Sequence, residues 1–184
     1  MTDQQILQLA QAEGFAAAFI APEDIPVNPA FRRFCEENRC GKYNANYSCP
    51  PNCGTVEELR QKTLAEDKVV IFTTHWNIDD HADRDGIEAA KKYHNTAALH
   101  LLNQLRDAGY DGFVVGYNGC NLCNPCKRVL NEPCAFPDKR ISCMSAYCIN
   151  VTQLAQKCGL EFAWNPGELF LFGMAAFHER EVKE

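Results

Sequence analysis

KVVIFTTH, residues 68–75, is a run of β-branched and aromatic side chains unbroken by glycine or proline, and it reads as a buried strand. A polar loop follows. From about Arg84 to Ala108 the apolar residues return at helical spacing, with Ile87, Ala90, Ala97, Leu101, Leu105 and Ala108 on one stripe joined by Ala98 and Leu102. Gly109 stops this helix, and Phe113–Tyr117 reads as the next strand. Strand, long helix and strand make a βαβ unit, so the two strands are expected to be parallel with a right-handed crossover. The fold class expected is therefore α/β (α+β), built on a small mixed sheet. Just beyond the carboxyl end of the second strand, after the Gly116–Gly119 turn, stands Cys120, the first of a closely spaced set. Ligand sites in open α/β sheets lie at that edge.

Outward from this unit the elements are shorter. Residues 3–18 read as a helix capped by Thr2 or Asp3, and Pro22, Pro26 and Pro29 then make an extended connector. Thr55-Val56-Glu57-Glu58 is a capping box that opens a helix running to about Glu66. Val151–Cys158 reads as a helix ended by Gly159. Glu161–Trp164 and Leu169–Phe177 read as two strands of a C-terminal hairpin, joined by the turn Asn165-Pro166-Gly167-Glu168.

The 184 residues suffice for one domain with a real core, and 46% hydrophobic against 23% charged residues marks a globular chain. A single domain over residues 1–184 is expected. The net charge is −6 and the lysines and arginines form no long stripe, which argues against a nucleic-acid-binding surface. The apolar stretches GFAAAFIA and ELFLFGMAAF are too short to span a bilayer, and the first residues show no secretory pattern. A cytoplasmic protein is expected. Its eleven cysteines are clustered, with none between Cys53 and Cys120, and clustering in that compartment points to metal rather than cross-links.

The more specific cluster is GCNLCNPCKRVLNEPC, residues 119–134, carrying Cys120, Cys123, Cys126 and Cys134. Three cysteines at successive three-residue steps, with a fourth further on, follow the ligand logic of a [4Fe–4S] cuboid. Zinc sites more often use two separated Cys-x-x-Cys pairs. The other cluster, FRRFCEENRCGKYNANYSCPPNCG (31–54), carries Cys35, Cys40, Cys49 and Cys53 at less regular spacing, and a zinc knot stays open beside iron–sulfur there. Tyr43 and Tyr47 are placed to shield a metal from water. Formal charge does not decide between the metals, because four thiolates around either Zn²⁺ or an oxidised cluster total about −2. Arg32, Arg33, Arg39, Lys127, Arg128, Lys139 and Arg140 supply compensating charge, or dock an acidic redox partner.

Cys158 shares a helical face with Leu154 and Ala155 and reads as a packing residue. Cys143 and Cys148 read the same way, with spare ligands or a redox pair as alternatives. HWNIDDHAD (75–83), with His75, Asp79, Asp80, His81 and Asp83, reads as a solvated connection in which Asp83 caps the long helix. The chain has no phosphate loop, serine nucleophile elbow or paired-carboxylate signature, which disfavours a hydrolase or nucleotide enzyme.

Taken together, Arg32-x-x-Cys35-x4-Cys40, the Cys-Pro-Pro-x-Cys stretch at Cys49–Cys53, and Cys-x2-Cys-x2-Cys with Cys134 before Phe136–Arg140 resemble domain-of-unknown-function family 2284. Members are described as predicted metal-binding, iron–sulfur proteins of anaerobic bacteria and archaea. The resemblance runs from about Phe31 to Val151 and implies that Cys35, Cys40, Cys49, Cys53, Cys120, Cys123, Cys126 and Cys134 are the ligands. After Arg140 this chain departs from the family: Cys143 stands where serine is usual, Ser145 where glutamate is, and Cys148 where glycine is. The expectation is two [4Fe–4S] clusters, with Zn²⁺ as the alternative cofactor. The expected role is electron transfer with a protein redox partner, and neither nucleic acid nor membrane is expected as a partner. An enzyme with an open cluster site and a zinc-braced interaction protein are the other readings, and oligomeric state is not legible.

Overall fold

The computed structural model describes residues 1–78 and 83–181. Its helices are α1 (Asp3–Ala12), α2 (Arg32–Glu36), α3 (Val56–Leu64), α4 (Arg84–Asp107) and α5 (Val151–Cys158). Its strands are β1 (Ala16–Ile20), β2 (Lys68–Asn77), β3 (Tyr110–Gly116), β4 (Ser142–Cys143) and β5 (Glu168–Glu179). Among the described residues these strands form one mixed sheet in the order β1-β2-β5-β3-β4, parallel only between β3 and β4. The fold is the mixed α+β class read from the sequence. Asp79, Asp80 and His81 of the polar loop lie outside the described residues. Asp83 does cap α4, its Oδ1 accepting from the Gly86 N–H at 2.9 Å.

β2 and β3 run in the same direction, as a βαβ unit requires, but β5 lies between them and is antiparallel to both. That insertion undoes the expected C-terminal hairpin. With both edges of β5 taken, residues 161–164 have no ladder to join and lie outside any strand. Phe162 instead sets its ring edge-on to Phe170 and Phe172 of β5. The N-terminal segment also divides where one helix was expected. The Thr2–Gln5 capping box starts α1, which ends at Ala12, and Gly14 at φ +82° turns the chain into β1. β1 then pairs along β2 from Ala16–Thr73 to Ile20–Val69, so strand pairing overrides the helix preference of its alanines.

Alternation along β2 sends side chains to both faces. Val70 and Phe72 join Ile6, Ala10, Leu101, Leu105, Tyr110 and Phe177 beneath α1 and α4. Val69 and Ile71 join Leu59, Leu154, Phe172 and Met174 beneath α3 and α5. Each of these four β2 side chains is fully buried, worth roughly 1.5–3 kcal/mol apiece. The outcome is a sheet covered on both faces, which leaves its β3–β4 end for the cysteine segments.

Candidate metal centres

β3 ends at Gly116, and the chain turns sharply because Asn118 and Gly119 both take left-handed backbone, at φ +62° and +68°. Asn95 of α4 pins the turn with its amide, accepting from the Tyr117 N–H at 2.9 Å and donating to the Tyr117 carbonyl at 2.8 Å. Gly119 then passes so close to the first cysteine segment that a Cβ there would lie 3.0 Å from Cys49 Sγ. The next residue is Cys120. The two cysteine groups, 66 residues apart between Cys53 and Gly119 along the chain, therefore abut.

A buried polar knot holds them together. Asn46 and Ser48 are 5% and 1% exposed. Ser48 Oγ accepts from the Cys120 N–H at 2.9 Å, and Asn46 Nδ2 donates to the Cys120 carbonyl at 2.9 Å. Lys42 Nζ donates to that same carbonyl at 3.3 Å and to the Asn121 side chain. From the other direction Arg128 reaches back into the first segment, donating to Asn52 Oδ1 at 2.7 Å and Asn44 Oδ1 at 3.0 Å, and locally to Asn131 Oδ1 at 3.1 Å. The Tyr47 hydroxyl donates to the Glu132 carbonyl at 2.7 Å. Arg128 thus fastens one segment to the other, a role its sequence position did not suggest.

Cys120, Cys123, Cys126 and Cys134 line one small pocket of about 10 Å³, closed by Tyr47, Leu122 and Phe136 and flanked by Lys127 and Arg140. Cys35, Cys40 and Cys49 line a separate cavity of about 390 Å³. Phe34, Tyr43, Tyr117, Phe162, Trp164, Phe170 and Phe172 give it aromatic walls on several sides, and Arg39 lies among them. Cys53 is not among the residues lining this cavity, whereas Cys143, read from the sequence as a packing residue, is. Cys143 comes from a two-residue strand paired with the end of β3, a long-range pairing with no local sequence signal. Cys158 packs against the core beneath α5, as its helical face implies. Among the described residues no group of three or more His, Cys, Asp or Glu is closed to the spacing of a single bound ion.

The surroundings hold the thiols gathered here in their protonated form. Burial pushes Cys35 and Cys49 up to about 12, and in each the largest contribution from a neighbouring thiol comes from Cys143. Burial also raises Cys53, Cys143 and Cys148, and burial with the charge of its three group members raises Cys123. Such thiols are protonated at neutral pH and weak as free nucleophiles, which weighs against disulfide exchange at Cys143 and Cys148. A bound cation reverses the balance by taking the thiolates as ligands and releasing their protons. The donor set, four thiols about each space with basic residues beside them, fits a thiolate-ligated centre.

Residues 18–176 match the family model described as predicted metal-binding protein (DUF2284). No curated protein matches the chain, and no solved structure does. Since the match spans most of the sequence, including both cysteine groups and the sheet between them, the chain belongs to this family of predicted metal-binding proteins.

Proposed function

We propose that the chain is a cytoplasmic iron–sulfur protein with two [4Fe–4S] clusters, relaying single electrons to or from a protein partner in anaerobic metabolism. The observation that carries this reading is the contact between the two cysteine groups through Cys49, Gly119 and Cys120. A [4Fe–4S] cluster supplies one-electron chemistry when bound. Cys120, Cys123, Cys126 and Cys134 would hold one cluster; Cys35, Cys40 and Cys49 would hold the other, with Cys53 fourth by sequence order. The chain's own part is to keep the centres adjacent through Asn46 and Ser48, to offset thiolate charge with Lys127 and Arg140, and to exclude water with Tyr47, Leu122 and Phe136.

The cavity of about 390 Å³ beside Cys35, Cys40 and Cys49 favours a second reading, in which the first centre has an open position and acts on a small molecule. Concave, mostly apolar spaces of this size suit such ligands. Electron paramagnetic resonance on dithionite-reduced, anaerobically purified protein tests the primary reading. Two reduced clusters this close should show signals broadened by mutual coupling, and C126S should leave one sharp, uncoupled signal. A silent, colourless protein containing zinc overturns the proposal. Adding cyanide would shift the signal of the first centre alone if one iron is open.

A further inference from the structure

The first cysteine group has more thiols near it than one centre requires. Cys35, Cys40, Cys49 and Cys143 line the cavity, and Cys53 is absent from its walls. Cys53 lies beside the cavity rather than in its walls, near enough that its charge acts on Cys49 and Cys143. Its N–H donates to the Cys49 carbonyl at 3.1 Å, its thiol lies 3.9 Å from the Gly54 carbonyl, and it packs against the core beneath α3 and α5. The Arg32 guanidinium lies near the thiols of both Cys53 and Cys148, where its positive charge favours their thiolate forms, and it donates to the Gly54 carbonyl at 3.4 Å.

Cys143 reaches the cavity by another route. Strand β4 places it opposite Gly116 of β3, and Gly116, Tyr117 and Asn118 line the same cavity. The Ser142 hydroxyl donates to the Ser48 carbonyl at 2.7 Å, which fastens β4 against the residue preceding Cys49. The turn after β4 is also fixed, with the Ala146 N–H donating to the Cys143 carbonyl at 2.9 Å and the Met144 N–H to the Gly116 carbonyl at 3.3 Å.

We infer that Cys143, and not Cys53, supplies the fourth thiolate of the first centre, beside Cys35, Cys40 and Cys49. Three ligands then come from one irregular segment and the fourth from a distant strand, the partition that suits a centre spread over several corners. Cys53 and Cys148 become the thiol pair that seats Arg32 beside the centre, where its charge offsets the thiolates. Cys148 sits in left-handed backbone at φ +56°, a conformation costly for any residue but glycine, and is fully buried. The Arg32 contact gives that thiol a use.

The inference rests on the metal-centre reading but not on iron. The test compares C143S and C53S in the full chain, prepared anaerobically, by total iron, total zinc and acid-labile sulfide per chain, with C126S as reference. C143S should fall to about half the wild-type metal, the remainder belonging to the other centre, while C53S should keep the wild-type content. Loss in C53S, with or without loss in C143S, overturns the assignment, as does full metal in both. If C143S fails to fold, alkylation of native wild type with iodoacetamide decides. Chelation should expose Cys143 together with Cys35, Cys40 and Cys49, and a rise at Cys53 with none at Cys143 contradicts the inference. Wild type carrying zinc and no sulfide would sink the iron–sulfur proposal while the C143S and C53S comparison still decided the ligand. Wild type taking up no metal after reconstitution overturns both.

Discussion

The two cysteine groups meet at one edge of the sheet yet differ in nearly every physical respect. The 120–134 group is local and regular, and its four thiols line a pocket of about 10 Å³. The 35–53 group is irregular, draws a distant strand into its surroundings, and opens on an aromatic cavity of about 390 Å³. Cys120, Cys123 and Cys126 also border a cavity of about 450 Å³ lined by Lys42, Asn46 and Asn121 and by no aromatic ring, so the two groups differ in what lines their approach rather than in having one. On the reading proposed above, the aromatic cavity makes the first group the better suited of the two to meet a small apolar molecule.

The sharpest way to break this comparison is to remove one group at a time. C126S should lose about half the bound metal while the other half stays on the open centre, and C35S should do the converse, both read by elemental analysis. Complete loss in either would mean one shared centre.

Next in size is an acid effect on the fold beneath both groups. His94 of α4 is fully buried, with Nδ1 3.0 Å from Thr74 Oγ1, and burial lowers its pKa from 6.5 to about 4. The unfolded chain therefore binds a proton that the folded chain refuses between those values. Stability present above pH 6.5 is lost as pH falls toward 4, on the order of 3 kcal/mol in all. Urea midpoints across this range should fall for wild type and flatten for H94Q. Metal lost from both groups along with the fold would be unfolding, whereas metal lost from one group before it would belong to that centre.

R128A should cost roughly 2 kcal/mol by urea denaturation, since it leaves Asn44, Asn52 and Asn131 without their shared donor. It should also sharpen the coupled resonance signals as the segments loosen. W164A is the smallest change. Trp164 is 86% exposed, so stability should move by less than about 0.5 kcal/mol. Bleaching in air should nevertheless quicken for the first centre, because the ring lines the cavity beside it.

Where a physical signal is local, the sequence carried it. The stripe from Ile87 to Leu105 located α4, the β-branched run located β2, and Gly159 marked the end of α5. The cysteine triple announced a shared pocket because neighbours at three-residue steps need no tertiary information to converge. Long-range pairing was illegible. Ala16–Ile20 is a strand only because β2 offers an edge, and Glu161–Trp164 is not one because β5 has none free. The place of Cys143 beside the cavity was illegible for the same reason. Its two-residue strand is defined by Gly116, which is distant in the chain and gives Ser142-Cys143 no pattern of its own.

The measurement that bears most directly on the whole account is iron, zinc and acid-labile sulfide on anaerobically purified protein, with a visible spectrum before and after dithionite. The account predicts about eight iron and about eight sulfide per chain and a brown colour that bleaches on reduction. About two zinc, no sulfide and no uptake of iron and sulfide on reconstitution would contradict it and leave a zinc-braced protein in its place.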